Sequence, residues 1–104
     1  IAVVGVGVYL VMSGPGLHTV KDARIALASV APTPVRARRA EAYLRGRQLN
    51  TEAIVEAAER AALSAKPISD IRGGKEYRAE MVKAFTRKTL QKCAGTLGIS
   101  LEEA

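Results

Sequence analysis

The hydrophobic periodicity of this chain changes once, after Ala31, and that change restricts the fold more than any single residue does. A strand sends alternate side chains to one face, whereas a helix returns to the same face every third or fourth residue. From Val4 onward the even positions Val4, Val6, Val8, Leu10 and Met12 are all apolar, while the odd positions hold Gly5, Gly7, Tyr9 and Val11. This is the pattern of a half-buried strand. Ser13-Gly14-Pro15-Gly16 supplies turn residues, and residues 20–30 resume a strand-like pattern with Lys21, Asp22 and Arg24 near its start, so the pair reads as an antiparallel hairpin with a somewhat long loop.

Beyond Ala31 the spacing is helical. Ala37, Ala40 and Leu44 share one face, Arg36, Arg38, Arg39 and Arg45 lie mainly off it, and Gly46 is placed to end the helix in a left-handed conformation. At the start, Thr33 suits the N-cap and Pro34 the first helical position, where a missing N–H costs nothing. A second helix is predicted with Asn50 or Thr51 as cap and Glu52 in its first turn. Its apolar stripe is Ile54, Ala58, Ala61 or Ala62, and Ala65, and it stops before Pro67. A third helix is predicted from around Lys75 into the nineties, with Tyr77, Met81, Val82, Phe85 and Cys93 facing inward, Gly95 and Gly98 fraying its end, and a loose acidic tail at 100–104. Strands first and helices after argue for an α+β fold, with the helices on one face of a small antiparallel sheet. Two strands alone make a marginal sheet.

A chain of 104 residues, 48% hydrophobic, has enough apolar surface for one modest core, and a single domain over 1–104 is expected. Its longest apolar run, residues 1–12, is about half the length of a membrane helix and is interrupted by Gly5, Gly7 and Tyr9. Neither a transmembrane segment nor a signal peptide is read from it, and a cytoplasmic location is expected. Cys93 is the one cysteine and His18 the one histidine, so no internal disulfide, no His/Cys metal site and no Ser/His/Asp or Cys/His catalytic set is expected. Glu52, Glu56 and Glu59 fall on the outer face of a helix, where solvation or pairing with Arg60 explains them. Without an initiator methionine, and beginning inside a β-like pattern, the chain reads as the remainder of a longer polypeptide.

Two constellations invite a ligand. Ile1-Ala2-Val3-Val4-Gly5-Val6-Gly7, with Asp22 downstream, opens like a dinucleotide-binding loop, but the position of the third glycine is Leu10 and the β alternation runs straight through. A pyrophosphate needs the strand to end there and a helix to begin. The glycines instead suit close approach of another backbone or a ring. The second is charge: the net +6 comes from residues 21–47 and 72–92, each with seven basic and two acidic side chains. Such patches attract phosphates, nucleic acid or acidic protein surfaces. With only Tyr9, Tyr43, Tyr77 and Phe85 as aromatics there is no stacking platform for nucleic acid.

The segments Val30-Ala31-Pro32-Thr33-Pro34-Val35-Arg36-Ala37 and Pro67-Ile68-Ser69-Asp70-Ile71-Arg72-Gly73, the latter leading into Tyr77-Arg78, occur in that order around a helix pair. With them the chain resembles the C-terminal domain of the FAD-binding medium subunit of molybdenum hydroxylases, the group of carbon monoxide dehydrogenase, xanthine dehydrogenase and 4-hydroxybenzoyl-CoA reductase. The resemblance implies a three-stranded sheet on a three-helix bundle, with the third strand upstream of Ile1, and an FAD-binding domain that precedes this chain. It implies FAD in the parent subunit, held by that upstream domain, and a molybdenum cofactor and two iron–sulfur clusters in a large and a small partner subunit. Electrons would pass from molybdenum through the clusters to the flavin. This chain would cover one side of the flavin site without carrying catalytic residues. Val3 stands where xanthine-dehydrogenase members carry a lysine beside the flavin. Thr33, Pro34, Arg36, Ser69, Asp70, Arg72, Tyr77 and Arg78 are the marker residues, with Asp70 and Arg72 paired to fix a turn, and Arg36, Arg38 and Arg39 are candidate subunit contacts, a role that suits arginine. The alternative is a stand-alone basic module that binds RNA or an acidic protein through residues 36–47 and the last helix. An independent module is expected to start with its own methionine and close its own sheet.

Overall fold

The computed structural model describes residues 5–28, 35–64 and 74–99, the side chains of Pro15 and of 74–78 excepted. It is an α+β fold. Strand β1 (Gly5–Ser13) turns through a single 3-10 turn at Pro15–Leu17 into β2 (Thr19–Ala28), and a short β3 (Val35–Arg36) leads to α1 (Arg38–Leu44), α2 (Thr51–Ala62) and α3 (Gly74–Thr96). The sheet is antiparallel with order β1-β2-β3.

The hairpin follows the alternation. Val6, Val8, Leu10 and Met12 pack against the core from β1, while Gly7 and Tyr9 are exposed. On β2 the inward phase changes midway, from Val20 to Ala23, Ile25 and Leu27, all fully buried. The cause is a bulge: Val11 pairs with Asp22 but Met12 with Val20, so β2 carries one extra residue there. An extra residue reverses the side of everything beyond it.

A third strand lies within the chain, where two were expected. Val35 and Arg36 pair with Leu27 and Ala26, and the Ala37 N–H donates to the Ile25 carbonyl at 2.8 Å. That pairing also corrects the expected helix start. The backbone is still tied to the sheet at Ala37, so α1 begins only at Arg38, with Ala37 as an N-cap that makes no side-chain cap bond. Thr33 and Pro34 lie outside the described residues. Gly46 does take the left-handed conformation expected of it, at φ +85°, and turns the chain back along β2. There the Val20 N–H donates to the Arg47 carbonyl, the Gly46 N–H to the Val20 carbonyl and the Leu49 N–H to the His18 carbonyl, at 2.7–3.0 Å. The edge of β2 away from β1 is thus covered first by this loop and then by β3.

Asn50 is the cap of α2; its side-chain oxygen accepts from the Ala53 N–H at 2.8 Å. The buried stripe is Ala53, Ile54, Ala57, Ala58 and Ala61. On α3 the core face comprises Val82, Thr86, Leu90 and Ala94, all fully buried, with Met81 and Phe85 flanking it. Thr86, Leu90 and Ala94 fill the core stripe between and beside the expected Phe85 and Cys93, and Cys93 itself is only half-buried. Nor does α3 fray. The Ile99 N–H donates to the Ala94 carbonyl and the Gly98 N–H to the Gly95 carbonyl, with Gly98 at φ +75°. This is a Schellman cap, and it folds Ile99 into the core.

Candidate functional site

All three helices lie on one face of the sheet, which leaves the other as a surface. Its positions pair across the hairpin: Gly5 with Ala28, Gly7 with Ala26, Tyr9 with Arg24 and Val11 with Asp22. An antiparallel sheet facing water ordinarily alternates polar outward. Here the outward residues are glycine, alanine, valine and tyrosine, with Arg24 and Asp22 at one end. Tyr9 is 59% exposed. A Cβ built on Gly7 would meet nothing within 4 Å, and one on Gly5 would meet only the Ala28 methyl at 3.6 Å. The face is flat and open to close approach, as the glycines suggested.

Its border is a chain of alternating charges. Glu41, buried on α1, accepts from both Nε and Nη2 of Arg36 on β3, at 2.8 and 2.9 Å, and from the Ile25 N–H on β2 at 2.8 Å. Arg45, one helical turn on, approaches Glu41 at 3.9 Å and bonds Asp22 at 3.0 Å. Asp22 accepts also from the Ala23 N–H and meets Arg24 at 3.6 Å. Burial pushes the Glu41 carboxyl up, but Arg36, the Ile25 N–H and the charge of Arg45 outweigh it and hold the group below the ordinary carboxylate range. The Arg45 hydrogen bond likewise lowers Asp22.

These contacts redistribute the candidate residues. Arg36 is committed to Glu41 inside the chain, whereas Arg38 and Arg39 are exposed and have no ion-pair partner among the described residues. Glu41 was missed: between Ala40 and Ala42 it looks like any helical glutamate, and the only hint was its placement on the same helix as the arginines. Asp22 serves Arg45 rather than a ribose. Glu56 pairs with Arg60, and the guanidinium groups of Arg47 and Arg60 lie over the Tyr43 ring, 4.0 and 4.7 Å from its centre. Val3, Ser69, Asp70 and Arg72 lie outside the described residues, as do the side chains of Tyr77 and Arg78, whose backbone belongs to α3.

Among the described residues no three His, Cys, Asp or Glu side chains gather as metal ligands, and no helix is long and apolar enough to cross a membrane. Burial raises the half-buried Cys93 thiol, which makes it a lining group rather than a nucleophile. The residues do not fit the pyrophosphate of a dinucleotide. β1 continues as paired strand through Gly5 and Gly7 to Ser13, so no helix N-terminus follows those glycines.

Comparison with known proteins places this architecture. The family model for the CO dehydrogenase flavoprotein C-terminal domain matches residues 1–93. The carbon monoxide dehydrogenase medium chain of Hydrogenophaga pseudoflava is 34% identical over 84 residues, 81% of this chain and 29% of that protein. The glyceraldehyde dehydrogenase medium chain of Sulfolobus acidocaldarius is 31% identical over 77 residues, 74% of this chain and 27% of that protein. Among solved structures, quinoline 2-oxidoreductase from Pseudomonas putida 86 superimposes with a TM-score of 0.78 at 32% identity, over 90% of this chain and 32% of that one. The chain therefore spans less than a third of the relatives it matches.

Proposed function

The chain belongs to the CO dehydrogenase flavoprotein C-terminal domain family, and we propose that it is the C-terminal domain of the flavoprotein subunit of a cytoplasmic molybdenum hydroxylase. The observation that carries this reading is the match of family sequence along residues 1–93 together with the same fold in a solved relative. In this role the domain covers the flavin site and contacts partner subunits, a small one with two iron–sulfur clusters and a large one with molybdenum. FAD, when bound, accepts the electrons that the partner subunits deliver. In this reading the flavin is held by the part of the subunit that the family resemblance puts before this domain. What this chain contributes is a stiff lid: an open, small-residue sheet face that another layer can approach closely, with its border tied to α1 through Glu41. The relatives are named for carbon monoxide, glyceraldehyde and quinoline, so membership of the family does not fix the substrate.

The test is composition. The full subunit, purified from its source in native conditions, is expected in a complex that contains flavin, iron and molybdenum in constant ratio through gel filtration. Recovery as a colourless protein without those components, binding RNA with steep salt dependence, would overturn the proposal in favour of a stand-alone basic module.

A further inference from the structure

Several cations of this molecule are paired within the chain. Arg24 and Arg45 meet Asp22, Arg36 meets Glu41, Arg60 meets Glu56, and Lys83 lies between Glu59 and Glu80. Lys88 and Lys92, like Lys21, Arg38, Arg39 and Arg87, are not, and they alone of these border a groove. The two lysines stand one turn apart on α3, both exposed, with no ion-pair partner among the described residues, and no acidic residue follows Glu80 in that helix. Like charges at this spacing repel, so the arrangement is one that an external anion relieves.

Beside them runs a groove of about 360 Å³ between β1 and the last turns of α3, lined by Leu10, Thr89, Lys92, Cys93, Thr96 and Leu97. Its walls are less polar than their names suggest. Thr89 donates its hydroxyl to the Phe85 carbonyl at 2.8 Å, and burial keeps the Cys93 thiol protonated. Leu97 is left 45% exposed at the rim, on a turn pinned by the Gly98 and Ile99 cap bonds. A cavity of about 150 Å³ already accepts benzene, so this groove has room for a leucine or phenylalanine side chain with its backbone. An apolar pocket on rigid elements with a charged rim is the anatomy of a protein interface.

We propose that the groove between β1 and the C-terminal turns of α3 docks an acidic segment of another protein chain, with an apolar anchor in the groove and carboxylates on Lys88 and Lys92. Charge complementarity selects an acidic occupant. Nucleic acid is disfavoured because no aromatic side chain lines the groove, and Tyr9, the exposed aromatic among the described residues, belongs to the opposite face of the sheet. The inference uses only this chain's groove and charges and does not depend on the oxidoreductase reading.

The test is an amide-shift titration of the isotopically labelled chain with a synthetic peptide of glutamates around a central leucine. Controls are the same peptide with serine in place of leucine, and a thymidine oligonucleotide. Saturable shifts are expected at the amides of Thr89, Lys92, Thr96 and Leu97 with the leucine peptide, and binding roughly tenfold weaker for the serine peptide and for the Lys88→Glu/Lys92→Glu variant. Both lysines are exposed, so the variant should keep its helical circular dichroism, and Lys88→Gln/Lys92→Gln provides a milder second variant that is expected to bind between the two. Absence of saturable shifts at those four amides, equal affinity in a folded charge-reversed protein, or tighter binding of the oligonucleotide than of the peptide would each overturn the proposal.

Discussion

Glu41 ties three elements together with one carboxylate: Arg36 of β3, the Ile25 N–H of β2 and its own helix α1. Glu41→Ala leaves the Ile25 N–H without its acceptor, and removing one partner of a buried pair ordinarily costs about 3–5 kcal/mol. Arg36 is 36% exposed and can turn to water, so a loss nearer about 2–3 kcal/mol is expected in urea unfolding with an unchanged slope. The sign of the pH dependence follows. Folding lowers the Glu41 carboxyl below its ordinary value near 4.5, so its stabilisation is complete above that pH and is lost as the pH falls through the folded value. Glu41→Gln is expected to flatten the acid limb of stability against pH; an unaltered limb would show that Glu41 is not held charged. Thr86 is the converse case. Its hydroxyl is buried with no hydrogen-bond partner among the described residues, and Thr86→Val should leave stability equal or raise it by about 1 kcal/mol. Neither residue announced itself in the sequence. A helical glutamate and a helical threonine read as surface until the packing of other elements buries them.

At the scale of elements, the helix caps carry separable free energies. Asn50→Ala removes the acceptor of the Ala53 N–H and should cost about 1 kcal/mol. Gly98→Ala should cost about 1–2 kcal/mol through backbone conformation alone, because its Cβ would meet nothing within 4 Å while φ stays at +75°. If Gly98→Ala proved neutral in thermal unfolding, the Schellman cap would not be holding Ile99 in place. Asn50 and Gly46 were legible because capping is local chemistry. The start of α1 was not, since Thr33-Pro34 is a valid local start. What moved it to Arg38 is the pairing of Val35 and Arg36 with Leu27 and Ala26, a contact between residues whose partnership no local pattern contains. The bulge opposite Val11 and Met12 is of the same kind, because register exists only between strands.

For the whole molecule, the sheet's outer face and its helix-covered face should respond oppositely to charge. Ala26→Arg on the outer face is expected to change the stability of this domain by no more than about 0.5 kcal/mol. In the full flavoprotein subunit the same change should weaken retention of flavin, read by fluorescence after gel filtration, if that face meets the rest of the subunit. Unchanged flavin content would place the contact elsewhere. The sequence by itself determined the α+β class, the hairpin, the three helices, the cap at Asn50, the left-handed Gly46 and the alanine-rich stripe of α2. Each follows from hydrophobic period or from chemistry within a few residues. Only the tertiary structure decided the third strand, the bulge, the pairing of buried Glu41 with Arg36 and which of the described cations pair within the chain. Each of these depends on which distant groups meet, and burial, register and ion pairing become defined only when the helices close over one face of the sheet.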